Sequence, residues 1–472
     1  MPLWTYGTIT LSFKKGDKIV KQNETLKLKV KRLGINGEGI AFYKKTIVFI
    51  DGALPKEDVL VQITQRHPRY MKAKLLRVLT PSRDRVTPAC PYFNDCGGCQ
   101  LQHLAYQKQL DYKKDVIAQS LQRFKPQGWE SFPLYDTIGM EEPYHYRNKL
   151  QYQIRTWRST AKMGLFKENS HDVVSIDRCL VQDPLTTKIA NVCFQLIKKY
   201  HLSIYDEKKH RGLVKTLMVR IGQKTKEAQA VLITTEEKWP RMEGFIHDLK
   251  KQCPEVVSIM QNINHDKTSL IMGERTILRD GKEAIEEKLD DITFNLSARA
   301  FFQLNPSQTE KLYAEVRKAL NASKDDVVVD AYCGVGTIGL SLASSVKYVY
   351  GMDTIPAAIE DANLNAKRLG FDNTHYEVGA AEDVLPQWLD NDLKPTAIVV
   401  DPPRTGLDDA LLQSLRKHRI QKLVYVSCNA STLAKDLTQL TDLYNVNYIQ
   451  SVDMFPQTAR VEAVVSMTLK DK

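Results

Sequence analysis

No stretch of this 472-residue chain stays apolar long enough to cross a bilayer as a helix. The first residues, Met1–Lys18, lack the basic, apolar and small-residue regions of a signal peptide. Eight cysteines are too few to staple a chain of this size. A reducing cytoplasm is therefore expected, where clustered thiols act as metal ligands or nucleophiles. Repeats and low-complexity tracts are absent. Negative charge is scarce at one end: residues 1–80 hold 16 Lys+Arg against 6 Asp+Glu, a balance of +10 within a net charge of +11. Such a basic module beside a near-neutral remainder points to a polyanion partner, RNA before membrane. The length predicts two to four domains.

From Lys18 to Leu79 the pattern is short and β-like. Glu24–Leu33 alternates, Gly34–Gly39 turns, and Lys44–Ile63 continues with strands and turns. Arg66–Leu79 interleaves basic and apolar side chains, as one face of a small barrel would. Over roughly residues 16–80 this resembles a TRAM domain, an OB-like barrel appended to RNA-modifying enzymes. Arg66, Arg69, Lys72, Lys74 and Arg77 are then candidate phosphate contacts.

Pro81–Pro91 is a linker by composition and delivers Cys90. Cys90-x5-Cys96-Gly97-Gly98-Cys99, with a distant Cys179, supplies four soft ligands, and the glycines let the chain fold tightly around a bulky centre. The spacing differs from CxxxCxxC, which argues against a radical-chemistry cluster. Zinc and a 4Fe–4S cluster both remain open on chemistry alone.

Leu101–Phe124 reads as an amphipathic helix, either exposed or packed on the C-terminal domain. Tyr146–Trp157 and Lys162–Ile176 read as hairpin strands, and Asp183–Lys199 as a helix. Strands over 210–222, 227–235 and 256–264 belong to one sheet, with a helix over Trp239–Gln252 between the last two. His210, Arg211, Lys215 and Arg220 either face RNA or line a solvated sheet edge. A further helix begins at Pro306, a favoured first position, with a stripe of Leu312, Val316, Ala319 and Leu320. Phe301, Phe302 and Gln303 precede it and are candidates for a ligand pocket, although the two Phe would otherwise be read as core.

The organising stretch is Asp330–Gly339. Apolar Val327–Val329 leads into Gly334-x-Gly336-x-x-Gly339, and a helical pattern follows at Ile338, Leu340, Leu342 and Ala343. A glycine turn between strand and helix brings backbone amides to a ligand. Alone it would suggest a nicotinamide or flavin cofactor. The next strand, Tyr348–Asp353, ends in an acid suited to a ribose diol. A third ends in Asp401-Pro402-Pro403 and a fourth at Cys428. Glycines, acid, DPP and thiol thus share one edge of a parallel sheet, where ligands bind. A strand-end DPP after such a turn resembles S-adenosylmethionine (SAM)-dependent methyltransferases more than dehydrogenases.

Enzymes that methylate exocyclic amines usually complete this motif with an aromatic residue; here the fourth residue is Arg404. Methylating C5 of a pyrimidine calls for a thiol, because C5 is a poor nucleophile until a thiolate adds at C6. A base then removes the C5 proton and the thiol leaves. Asp401 and Cys428, on successive strand ends, would meet around one flipped-out base. Asn429–Thr432 reads as a helix start, whose dipole would favour ionisation of Cys428.

Phe301–Tyr313, Asp330–Leu340, Asp401–Leu407, Val424–Leu437 and Gln457–Met467 are, in this order, similar to the RNA 5-methyluridine methyltransferases. With the four cysteines and the barrel, the likeness is greatest to their iron–sulfur 23S ribosomal RNA branch. The resemblance implies an α/β fold in three domains: an OB-like TRAM barrel over 1–80, an α+β RNA-binding domain over 81–295, and a Rossmann-like SAM methyltransferase domain over 296–472. It implies a 4Fe–4S cluster on Cys90, Cys96, Cys99 and Cys179. It also implies a SAM site built from Gln303, Tyr332, Asp353 and Asp401, with Thr337 and the turn glycines Gly334 and Gly336. Cys428 becomes the nucleophile and Glu462 the base, where Glu462 alone would be read as a surface or salt-bridged acid. The implied partner is 23S ribosomal RNA, with no membrane and no obligatory protein partner. Asp353 stands where many relatives have Glu, and Ala380-Ala381 where some have a polar adenine contact. Two rivals are a tRNA methyltransferase, whose branch usually lacks the barrel and the four cysteines, and an RNA-binding assembly factor with a spent methyltransferase fold.

Overall fold

A computed structural model describes residues 22–158, 160–168, 170–266 and 270–471. The start of the expected barrel, before Gln22, and the stretch read for targeting lie outside the described residues. The chain forms two compact units, Met1–Arg85 and Val86–Lys472.

In the first unit β1 (Thr25–Leu33), β2 (Gly39–Tyr43), β3 (Thr46–Ile50), β4 (Asp58–Arg66) and β5 (Tyr70–Thr80) close a barrel in the order β1-β2-β3-β5-β4. Period-two alternation builds it: Leu26, Leu28 and Val30 point inward with Val59, Val61 and Ile63, while Lys27 and Lys29 stay outside. Arg66, Arg69, Lys72, Lys74 and Arg77 are all exposed. The buried Glu57 carboxylate ties the following chain to the barrel. It accepts from Arg85 Nε at 2.6 Å and Nη2 at 2.8 Å, and from the amides of Leu54 and Ser82. These contacts outweigh burial and hold its pKa below the usual value.

The second unit begins with α1 (Tyr106–Phe124), followed by β6 (Lys149–Trp157), β7 (Thr160–Phe166), β8 (Val173–Ser175) and α2 (Pro184–Lys199). Next come β9 (Val214–Ile221), β10 (Ala228–Thr234), α3 (Met242–Gln252), β11 (Val256–Ile263) and β12 (Arg275–Gly281). These strands form a sheet ordered β12-β11-β10-β9-β6-β7-β8, parallel only between β10 and β11, where α3 makes the crossover. Asp183 caps α2 through the Leu185 amide at 2.8 Å, with Pro184 at the first turn.

One sequence expectation changes here and another is narrowed. Every residue of β9 is buried, because this central strand is covered on both faces. Arg220 therefore donates to the carbonyls of Ser297 and Ala300, and Lys215 to those of Asn264 and Asp266; neither faces RNA. His210 and Arg211 are exposed. Of the two readings of α1 the packed one holds and the exposed one does not: it lies against a later helix and buries Leu110, Val116, Ile117 and Leu121.

The hairpin β13 (Ala284–Leu289) and β14 (Ile292–Ser297) leads to α4 (Pro306–Leu320), capped by Asn305. Strands and helices then alternate: β15 (Val327–Ala331), α5 (Thr337–Ala343), β16 (Tyr348–Asp353), α6 (Pro356–Arg368), β17 (Thr374–Val378), α7 (Ala381–Asp390), β18 (Ala397–Val400), α8 (Asp409–His418), β19 (Lys422–Ser427) and α9 (Ala430–Leu440). The chain closes with β20 (Tyr444–Val452) and β21 (Glu462–Leu469). The sheet order is β17-β16-β15-β18-β19-β21-β20; the first five are parallel and β21 inserts antiparallel between β19 and β20. This is the expected α/β methyltransferase sheet. The helix packed against α1 is α9.

Candidate active site

The carboxyl ends of β15, β16, β18 and β19 carry the predicted residues. After β15 the chain turns sharply. Tyr332 takes φ +65°, Gly334 +55° and Gly336 +76°, and α5 starts at Thr337. A left-handed tyrosine beside two left-handed glycines stores backbone strain at a ligand edge. At Gly339 a Cβ would sit 2.9 Å from both the Tyr376 hydroxyl and Val349, so glycine lets α5 lie close on the sheet. Buried Asp330 fastens this turn, accepting from the Gly339 amide at 2.7 Å.

Gln303, Tyr332, Gly334, Thr337 and Asp401 line one pocket open to solvent. Phe301 and Phe302 line it too, although Phe302 is buried against Phe294 and Phe301 is 57% exposed. Tyr313, missed from sequence, donates to or accepts from Thr337 at 2.7 Å inside it. Gly336 and Asp353 are not among its lining residues. Asp353 accepts from the amides of Gly334 at 3.0 Å and Ile355 at 2.9 Å, bracing the turn from the next strand.

At the pocket edge two carboxyl groups and a thiol act on one another. Ser427 of β19 pairs with Ala463 of β21, which puts Cys428 opposite Glu462 one step further along. Burial, reinforced by the Asp401 charge, pushes Glu462 up to about 8; burial pushes Asp401 itself to about 7. The Cys428 thiol rises to about 11 by burial and by the charges of Glu462 and Asp401, with Arg404 opposing. From sequence, the helix start after Cys428 is expected to ease its ionisation. Asn429 does cap α9, but the surrounding acids and burial prevail.

The loop after Asp401 is clamped. Asn429 Nδ2 donates to the Arg404 carbonyl at 2.8 Å, and buried Asp436 accepts from the Leu407 amide at 2.9 Å and the Tyr425 hydroxyl at 2.8 Å. Gly406, at φ +84°, is required there, because a Cβ would meet Asp436 at 2.5 Å. Exposed Arg404 and Arg460 both act electrostatically on Cys428.

Cys90, Cys96, Cys99 and Cys179 line a second cavity with Tyr92, Gln102 and Arg147. The thiol charges of Cys90, Cys96 and Cys99 each feel that of Cys179. Among the described residues, no set of three or more Cys, His, Asp or Glu side chains gathers closely enough to hold a metal ion.

Residues 105–470 match the profile of the tRNA (Uracil-5-)-methyltransferase family. The chain belongs to that family. A TRAM domain profile matches residues 20–76, on the basic barrel. An uncharacterized RNA methyltransferase of Enterococcus faecalis is 56% identical over 452 residues, 96% of this chain and 99% of the relative. One from Listeria monocytogenes is 50% identical over 454 residues, with 96% and 99% covered. Among solved structures, Pyrococcus abyssi tRNA (uracil-54, C5)-methyltransferase bound to S-adenosyl-L-homocysteine superposes with a TM-score of 0.75. It is 26% identical, over 94% of this chain and 99% of that one. As a member of this family the protein is a SAM-dependent RNA methyltransferase.

Proposed function

We propose that the protein methylates C5 of uridine in 23S ribosomal RNA through a covalent adduct on Cys428. The observation that carries the C5 chemistry is the placement of Cys428 opposite buried Glu462, with the pocket-lining Asp401 acting on both.

In this reading Gln303, Tyr332, Gly334, Gly336, Thr337, Asp353 and Asp401 hold SAM, and Gly336 and Asp353 also shape the turn. A half-buried acid at the pocket wall suits a cationic ligand. SAM supplies an electrophilic methyl group. The Cys428 thiol loses its proton to solvent, a loss favoured by the cations of Arg404 and Arg460; the thiolate sulfur then bonds to C6 of the uracil, and the C5–C6 π electrons move onto the C4 oxygen. C5 then takes the methyl group. Glu462 accepts the C5 proton; the C–H electrons restore the C5–C6 double bond and the C6–S electrons return to Cys428.

The 23S substrate is supported by the four cysteines together with the basic barrel. We read the chain as barrel, central RNA-binding part (81–295) and methyltransferase part (296–472). Cys90, Cys96, Cys99 and Cys179 are proposed to hold a 4Fe–4S cluster. The four thiols line one cavity, which supports a centre shared among them. Gly98 fits this, since a Cβ there would press Cys96 Sγ at 3.3 Å and Leu165 at 3.2 Å. Anaerobic protein should contain iron and sulfide, absent from Cys99→Ser; zinc alone would overturn the cluster.

The tRNA reading is favoured by the matched family's description and by the Pyrococcus abyssi structure. Methyl acceptance from tritiated SAM by deproteinised 23S RNA and by tRNA separates the two. Transfer to 23S RNA is expected, and transfer to tRNA alone would overturn that substrate.

A further inference from the structure

A lysine interrupts the apolar stripe of α1; burial lowers its pKa, and the charges of Asp453 and Glu462 oppose this and favour the ammonium form. Lys113 is fully buried between Leu110 and Val116, Ile117, and so is its ion-pair partner Asp453. Lys113 Nζ also donates to the Phe455 carbonyl at 3.0 Å. Burying a charge pair is costly, and hydrophobic replacement is often no less stable, so its presence calls for a role.

The pair stands directly behind the proposed base. Val452 pairs with Glu462 across β20 and β21, and Asp453 is the next residue. Tyr106 donates to Asp453 Oδ2 at 2.9 Å. Gln109 Nε2 donates to Gln457 Oε1 at 2.9 Å, and the Gln457 amide returns a bond of 3.0 Å to Gln109 Oε1. The amides of Gln100 and Leu101 donate to the Gln457 carbonyl at 3.1 and 2.9 Å. The loop leading to Glu462 is therefore held by the first turns of α1 and the residues just before them.

We propose that Lys113 is a positioning residue for proton removal at C5: paired with Asp453 behind the strand ends, its ammonium supplies the positive field in which Glu462 takes the proton. The proposal rests on Glu462 being the base. Charged and titratable groups facing Glu462 come from several elements: Asp401 at the end of β18, Cys428 after β19, Tyr313 on α4 and Lys113 on α1. Arg404 and Arg460 act on Cys428. Asp401 and burial hold the proton on Glu462, and Lys113 opposes them. When C5 loses its proton to the Glu462 carboxylate, the C–H electrons form the C5–C6 bond and thiolate leaves. A Glu462 that resists ionisation stalls this step, after methyl transfer, with RNA still bound to Cys428.

The test uses full-length protein and the RNA that the wild type methylates. Lys113→Met removes the field. Lys113→Met/Asp453→Asn removes both charges and leaves an amide oxygen to accept from Tyr106, so it folds without an unpaired buried charge. Two readouts are followed: the pH profile of single-turnover product release, and methyl-labelled protein–RNA adduct on denaturing gels. In Lys113→Met, which also leaves the Asp453 carboxylate uncompensated, the rising limb is expected to move up by about one pH unit, with about tenfold slower release at neutral pH and accumulation of methylated adduct; in the double variant the shift has the same direction and is smaller. Slower turnover with an unchanged limb and no methylated adduct would mean a purely structural pair and overturn the proposal. Wild-type methylation with no Cys428-dependent adduct on 5-fluorouridine RNA would instead remove the covalent reading beneath it.

Discussion

Cys428 and Glu462 oppose each other just beyond the last rung of the β19–β21 ladder, Ser427 with Ala463. Both rise above their ordinary pKa, the thiol to about 11 and the carboxyl to about 8, so both hold their protons in the resting protein at neutral pH. The nucleophile is thus quiescent until a bound cation and a uracil change the field around it. That restraint suits a reactive thiol at an RNA-accessible edge.

Glu462→Gln keeps the shape of the base and removes its proton affinity. Methyl transfer should proceed once and stop, leaving a methylated RNA adduct on Cys428, with turnover reduced about 100-fold or more. Denaturing electrophoresis of tritium-labelled reactions reads this directly. Full turnover in this variant would assign proton removal elsewhere.

Buried Asp330 makes stability fall with pH. Burial and the nearby Asp401 and Asp353 charges lift its folded pKa to about 7, against about 4 unfolded. Its contribution is complete below about pH 4 and is lost as pH rises through about 7, weakening by at most about 1.4 kcal/mol for each pH unit in between. Asp330→Asn retains an acceptor for the Gly339 amide and should flatten urea-unfolding midpoints between pH 5 and 8. An unchanged slope would show that Asp330 is ionised throughout.

Asp436→Ala should cost about 1–3 kcal/mol, because it orphans the Tyr425 hydroxyl and the Leu407 amide. The loop carrying Arg404 is released with them, so kcat should fall more than thermal stability alone explains. Normal kcat in a merely less stable variant would confine Asp436 to folding.

The basic barrel face predicts salt-dependent RNA affinity. Removing Lys72, Lys74 and Arg77 together should lower the slope of log affinity against log salt by about 0.7 for each phosphate of single-stranded RNA that these cations neutralise. Titration of the full chain at several salt concentrations measures it. A parallel line would take these three side chains off the RNA.

The catalytic sheet was legible because its turn glycines, DPP and strand-end thiol follow chemical necessity in chain order. Glu462 was reached through family resemblance alone, since its strand bears no local mark of a base. Lys113 was not legible at all: its partner lies 340 positions away, and only folding shows that an amphipathic helix buries it. Lys215 and Arg220 misled because residue type does not reveal that β9 is covered on both faces. Asp353, expected at a ribose, also braces the glycine turn, a contact the sequence did not announce and the parallel pairing of β15 and β16 sets.

The central claim is a Cys428–C6 bond on uridine. Fragments of 23S RNA containing 5-fluorouridine, incubated with anaerobically purified protein and tritiated SAM, test it most directly, because fluorine cannot leave C5 as a cation. A stable labelled protein–RNA adduct that vanishes in Cys428→Ala is the predicted result. Methyl transfer to ordinary RNA with no such adduct would contradict the account.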